Sequence, residues 1–246
     1  MKKRQQGFTL IEIAIVLVII GLLLGGILKG QELINSARVR NIAAQIDGIK
    51  VAYLAFQDRY RILPGDMDTT TASTSLPQVN GAAAPGCGTA GSGLCANGVI
   101  DAPETSLVWS QLSAAGFITG TYCANPCASL ASDTGTTAPA PTPTTVPSNA
   151  FSGWVQLVTD QDYEDVVSPT LPSAHLNIKT GGNVPIGILL ELDNKIDDGI
   201  PSTGAFRESG GTWDQSALAT CVTGTGSAMR YNASVTNPNC GGAALQ

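Results

Sequence analysis

Gly7-Phe8-Thr9-Leu10-Ile11-Glu12 joins a basic head, Lys2-Lys3-Arg4, to an apolar run that continues to Leu28. Between Phe8 and Leu28 the clearly polar side chains are Thr9 and Glu12. In helix, about twenty such residues span roughly 30 Å of hydrocarbon. Lys and Arg beside a first span hold that side in the cytoplasm, so the stretch predicts a membrane helix with its N-terminus inside. A secretory signal would show a small-residue A-x-A site after the apolar core. Gly25-Gly26-Ile27-Leu28-Lys29 follows it here. A carboxylate near the start of an apolar span is costly, and that cost marks Glu12 as a functional residue.

Gly7-Phe8-Thr9-Leu10-Ile11-Glu12, with its basic head and apolar run, resembles the processing site of type IV prepilins and of type II secretion pseudopilins. The resemblance implies cleavage after Gly7 by a membrane prepilin peptidase and N-methylation of the new terminus, Phe8. It also implies that Glu12 meets the Phe8 ammonium of a neighbouring subunit. A lone carboxylate and a lone amine are each expensive at low dielectric, and pairing across subunits offsets much of that cost. Glu12 would then set the axial register. The implied organisation is a leader over 1–7, a transmembrane and assembly helix over 8–28, an amphipathic continuation over 29–60 and a periplasmic or extracellular sheet domain over 61–246.

The charge divides along the same lines. Residues 1–60 carry 8 Lys/Arg and 4 Asp/Glu, net +4, whereas 61–246 carry 5 and 15, net −10. An acidic distal part rich in Gly, Thr, Ser and Ala suits an exported protein. It lacks the clustered Lys/Arg of a phosphate-binding face, so no direct nucleic-acid partner is expected. All six cysteines lie beyond residue 86, which suggests an oxidising compartment. The simplest pairings are local: Cys87 with Cys95, Cys123 with Cys127, Cys221 with Cys240. Zinc is disfavoured, because the spacings are not paired C-x-x-C and the chain has one histidine, His175.

Beyond Leu28, residues Val39, Ile42, Ile46, Ile49, Tyr53, Phe56 and Tyr60 recur at steps of three and four, one apolar stripe on a continuing helix. A helix over 8–59 would be roughly 78 Å long at 1.5 Å per residue. Gly25, Gly26 and Gly30 lie inside it, where each weakens helix by about 1 kcal/mol relative to Ala or permits close helix packing. Pro64 cannot continue a helix and pushes Leu63 toward extended backbone, so the helix is expected to end at 62–66. Tyr60…Leu63-Pro64-Gly65-Asp66 also resembles the helix exit of pilin-like proteins. Residues 67–96 read as a long loop, 106–118 as a short helix ended by Gly116 or Gly120, and 134–149 as an extended Pro/Thr-rich loop. The pattern around Trp109 and Gln111 again resembles pilin-like subunits, with Trp109 anchoring a local core. Strands are expected over 151–159, 175–179 and 184–192, with a hairpin turn at Thr180-Gly181-Gly182-Asn183 and an edge strand over 229–235. The sum is an α+β fold, a long N-terminal helix covering an antiparallel sheet. The resemblance implies the same fold.

No G-x-S-x-G, P-loop or H-E-x-x-H is present, and His175 has no marked nucleophile beside it, so no enzyme is expected. Asp193, Asp197 and Asp198 crowd the stretch Leu192–Pro201 with Gly199 near its end. Calcium takes six to eight oxygens, often from carboxylates on a tight loop with a glycine, and some secretion pseudopilins carry such a loop. Calcium is therefore the one candidate cofactor, weighed against a plain turn whose aspartates bond nearby backbone N–H groups. The expected role is a structural subunit of a type IV pilus-like filament, a minor pilin being one form of it. The alternatives are a type II secretion pseudopilin and a filament-borne adhesin or uptake module. The partners implied are prepilin peptidase, other pilin subunits, the inner membrane and a pilus or secretion assembly machinery. The route implied runs from inner membrane to cell surface or periplasmic pseudopilus.

Overall fold

The structure is a computed structural model and describes residues 9–79, 81–88, 93, 95–122, 140–165, 172–209, 221–235 and 239–246. Its first helix, α1, runs Leu10–Tyr60 without a break. The chain forms two compact units, 1–38 and 39–246. In the first, every side chain from 9 to 29 is exposed, including Leu10, Leu17 and Leu22 at 90%, 64% and 73%. Such a surface is stable only in lipid or against other chains.

In the second unit the stripe is buried. Val39, Ile42, Ala43, Ile46, Ile49, Ala52, Tyr53 and Phe56 all lie within one core, with Phe56 fully enclosed and stacked 4.7 Å from Tyr60. Arg61 takes a left-handed φ of 61° directly after the helix. The exit that follows is pinned by Gln111. Its Oε1 accepts from Gly65 N at 2.6 Å, while its Nε2 donates to Met67 O at 3.4 Å and Pro85 O at 3.1 Å. Gly65 needs to be glycine, since its φ is +97° and a Cβ would stand 2.8 Å from Val108 Cγ2. Gln111→Leu should leave buried backbone groups unpaired and destabilise the domain by about 2 kcal/mol, a melting temperature lower by roughly 4–8 °C. An unchanged melt would mean that the exit is held by other contacts.

The segment 67–96 is not loop throughout, because α2 occupies Thr69–Ser75. Asp68 starts it, accepting from Thr70 N and Thr71 N at 3.0 Å each. Helix α3 covers Thr105–Ala114, shorter than 106–118, and the chain turns at Gly116 with φ +78°. A 3-10 turn, Ala102–Glu104, leads into it.

The sheet is antiparallel, with strands β1 Gln156–Asp160, β2 His175–Lys179, β3 Phe206–Glu208 and β6 Gly242–Leu245 in the order β1-β2-β6-β3. One cross-strand row, Leu157, Ile178, Ala244 and Phe206, faces the core with each residue at most 4% exposed. The C-terminal strand is thus central, although no strand is expected there from the sequence. Its small residues suit the place: a Cβ on Gly242 would fall 2.3 Å from the Phe206 ring.

Four expectations need correction. Residues 184–192 are not a strand; α4 spans Ile186–Ile196. Continuous apolar runs hide the period, but Ile186, Leu189 and Leu192 are buried at helical spacing once the segment is followed to Ile196. The 180–183 turn therefore leads from β2 into a helix, with Gly181 at φ +78° and Asn183 at φ 63°. The strand expected over 151–159 begins only at Gln156, preceded by an isolated bridge between Ser148 and Trp154. Residues 229–235 contain β5, Arg230–Tyr231, which pairs with β4, Val222–Thr223, in a separate two-stranded sheet.

Candidate functional site

Helix α1 begins at Leu10, which makes Thr9 its cap and Glu12 its third residue. Glu12 Oε2 accepts from Thr9 N at 2.8 Å and from Thr9 Oγ1 at 2.7 Å. This is the carboxylate half of a capping box, and the positive end of the helix dipole favours the charge at that place. The only acidic group in the apolar segment is thus held facing back toward the chain's N-terminal end. Gly7 and Phe8 lie outside the described residues, as do Cys123, Cys127 and residues 134–139 of the 134–149 loop.

Cys87 is bonded to Cys95, and Cys221 to Cys240. The acidic turn follows α4 rather than a strand. Asp193 is fully buried; its Oδ2 accepts from Tyr231 Oη at 2.7 Å and its Oδ1 from Gly199 N at 3.2 Å. Burial pushes the Asp193 carboxyl up to about 6, against the lowering effect of the Tyr231 hydroxyl. Asp198 accepts from Ile200 N at 2.8 Å and Thr203 Oγ1 at 2.5 Å, and Asp197 Oδ2 accepts from Ala205 N. The three carboxylates do not converge within 4.8 Å of one another. Each accepts hydrogen bonds from the turn and its neighbours, the pattern of a plain Asp-rich turn. Trp109 is 1% exposed in the core, and His175 is exposed on β2 with its ring 6.2 Å from Tyr163.

Two buried charged sites are not visible in the sequence. Lys179 on β2 is 1% exposed, with its ammonium 2.6 Å from Asp160 Oδ2 and 3.1 Å from Asp162 Oδ2. Lysine at a strand end ordinarily reads as solvated, and the carboxylates come from a different segment. Glu104 is 2% exposed: its Oε2 accepts from Asp101 N at 2.9 Å, while Oε1 has no partner among the described residues. Burial raises its carboxyl to about 8, reinforced by Asp66 and Asp101 and opposed by the Asp101 N–H. Because the folded value lies above the unfolded one, the neutral carboxyl's contribution is complete at low pH and lost as pH rises through about 8. Wild type should therefore lose melting temperature more steeply than Glu104→Gln from about pH 5 to about pH 8. Parallel melting curves across that range would show an unshifted carboxyl.

Comparison with protein families matches residues 2–28 to the prokaryotic N-terminal methylation motif. That motif is the signature of type IV pilins and secretion pseudopilins, and its residues 10–28 form the exposed apolar start of a helix whose later turns belong to an α+β domain. The motif supports a pilin-like or pseudopilin protein, and the fold is consistent with that; such a motif implies processing by prepilin peptidase and assembly with other pilins, and the apolar helix fits membrane anchoring before assembly. Neither curated proteins nor solved structures give a match to the chain.

Proposed function

We propose that this protein is a structural subunit of a type IV pilus-like filament, built in by its apolar helix after cleavage at Gly7 and methylation of Phe8. One observation carries the reading. A single helix holds both residues 10–28 of the methylation motif, an apolar segment exposed throughout, and, from Val39 to Phe56, a stripe buried in its own domain. Among the described residues the first part has no partner, and its apolar surface demands one. The second fixes a folded domain to that anchor. The acidic, disulfide-bearing distal domain favours the pilus over the secretion pseudopilus, as a minor subunit.

Imaging surface filaments with an antibody to the distal domain tests this. Sparse or tip label supports a minor pilin, and label along the shaft a major one. Absence of any surface filament, with the protein held in the periplasm, would point to a pseudopilin instead. Calcium at Asp193, Asp197 and Asp198 is a separate proposal that their hydrogen bonding makes the weaker of the two readings. A melting midpoint that rises with calcium and not in Asp198→Ala would support it; identical melts with calcium and chelator would leave only the turn.

A further inference from the structure

Cys87, Cys95 and Leu107 are packed together as a small apolar cluster, with the cysteines 5% and 2% exposed and Leu107 at 2%. A carboxylate oxygen of Glu104 and both sulfurs lie within 4.8 Å of one another. Glu104 is the charged group in this pocket, and one of its oxygens has no hydrogen-bond partner among the described residues. The acidic groups that face it are Asp66, from the helix exit, and Asp101, from the turn before α3. Asp66 is committed elsewhere, its carboxylate accepting from Asn97 N at 3.0 Å and Gly98 N at 2.8 Å. Asp101 Oδ2 accepts from Asn97 Nδ2 at 2.9 Å. Among the described residues, Glu104 is the acidic group placed to exchange a proton with the sulfurs.

We propose that Cys87, Cys95 and Glu104 form a thiol–disulfide exchange site in which the Glu104 carboxyl carries the proton that moves with the sulfur. The co-reactant is a disulfide, RS–SR, either a small molecule or the cysteine pair of an oxidoreductase. In the dithiol form one cysteine, as thiolate, attacks RS–SR. A mixed disulfide forms, and RS⁻ leaves and is protonated by water. The second thiol passes its proton to the Glu104 carboxylate, and its sulfur attacks the mixed disulfide. The Cys87–Cys95 bond forms, the bond to SR breaks, and the departing RS⁻ takes the proton from Glu104. Two electrons pass from the cysteine pair to RS–SR, which becomes two RSH. A buried thiol ionises poorly, so a base within reach of it removes the main obstacle to ring closure. A carboxyl raised to about 8 is matched in affinity to a thiol and can serve in both directions near neutral pH.

The consequence is local. Cys87 N donates to Met67 O at 3.1 Å and Ala96 N to Asp66 O at 3.0 Å, so the residues beside each sulfur are tied to the exit of α1. Closing this disulfide fixes the helix exit, and Glu104 hastens that step. The Cys221–Cys240 pair has no such carboxyl grouped with it among the described residues and serves as an internal control.

The test uses the purified full chain in detergent, reduced with dithiothreitol, desalted and reoxidised with glutathione disulfide. Alkylation quenches and peptide mapping follow each pair. Glu104→Gln should slow closure of Cys87–Cys95 by at least about tenfold. The glutathione adduct at Cys87 or Cys95 should build up, while Cys221–Cys240 closes at the wild-type rate. Wild-type closure with no adduct overturns the proposal. If the variant also alters Cys221–Cys240, the wild-type protein decides. The ratio of the two closure rates rising through about pH 8 supports the assignment, and a ratio constant with pH overturns it.

Discussion

Glu12→Ala should insert into the membrane at least as well as the natural chain and yield at least about tenfold fewer filaments. Insertion improves because a carboxylate is removed from an apolar span. Assembly by the proposed route should fail, because the methylated amine of a neighbouring Phe8 would then enter the helical stack without a counter-charge, at a cost of several kcal/mol. About 1.4 kcal/mol already amounts to tenfold in an equilibrium. Thr9 N and Oγ1 both bind one carboxylate oxygen, so the charge is oriented along the helix before any neighbour arrives. Glu12→Gln separates charge from shape, since it keeps an oxygen for Thr9 and loses only the negative charge. It should fail like the alanine variant. Normal filament yield from either variant, with no natural subunit present, would remove Glu12 from the assembly step.

The second large effect is expected at Lys179. Its ammonium is enclosed beside Asp160 and Asp162, with Asp160 itself only 22% exposed. Lys179→Met keeps most of the side chain's volume and leaves the carboxylates without their cation. Breaking such a pair is far worse than never having built it, because the remaining charge stays desolvated. Glu208, fully buried on β3 and already raised by burial, would lose a nearby cation that lowers it. A loss of about 3 kcal/mol is expected, seen as a melting temperature lower by roughly 6–12 °C. Replacing Lys179 with Met and both Asp160 and Asp162 with Asn should recover much of the loss. A single Lys179→Met variant as stable as wild type would show that water reaches the cluster.

The anchor and the stripe were legible because a strong physical signal repeats there. The steps of three and four from Val39 to Phe56 name the buried face of α1 almost residue for residue. β2 was equally plain at 175–179, a β-rich segment between turn residues. α4 reads as a strand because its apolar run is dense enough to suit either structure, and its buried helical side shows only when Asp193 is counted with Ile186, Leu189 and Leu192. β6 gave no signal at all. Gly242, Ala243 and Ala244 have poor strand propensity, and they occupy the middle of the sheet because the Phe206 ring lies against the Gly242 backbone and leaves no room for a side chain there.

The candidate sites divide the same way. Glu12 stood out because a charge in an apolar run violates the local pattern. Glu104 did not, since Asp-Ala-Pro-Glu reads as an ordinary exposed helix start, whereas in the fold it is buried beside the Cys87–Cys95 disulfide. Lys179 likewise depends on carboxylates brought to it by the preceding strand and its exit. Pairings of this kind are decided by tertiary packing, and no spacing in the chain announces them.

The most direct test is the mass of the N-terminal peptide of the mature protein taken from the cell envelope. It should begin at Phe8 and carry one added methyl group. A mature chain that retains Met1–Gly7, or one that begins beyond residue 20, would contradict the pilin-like assignment.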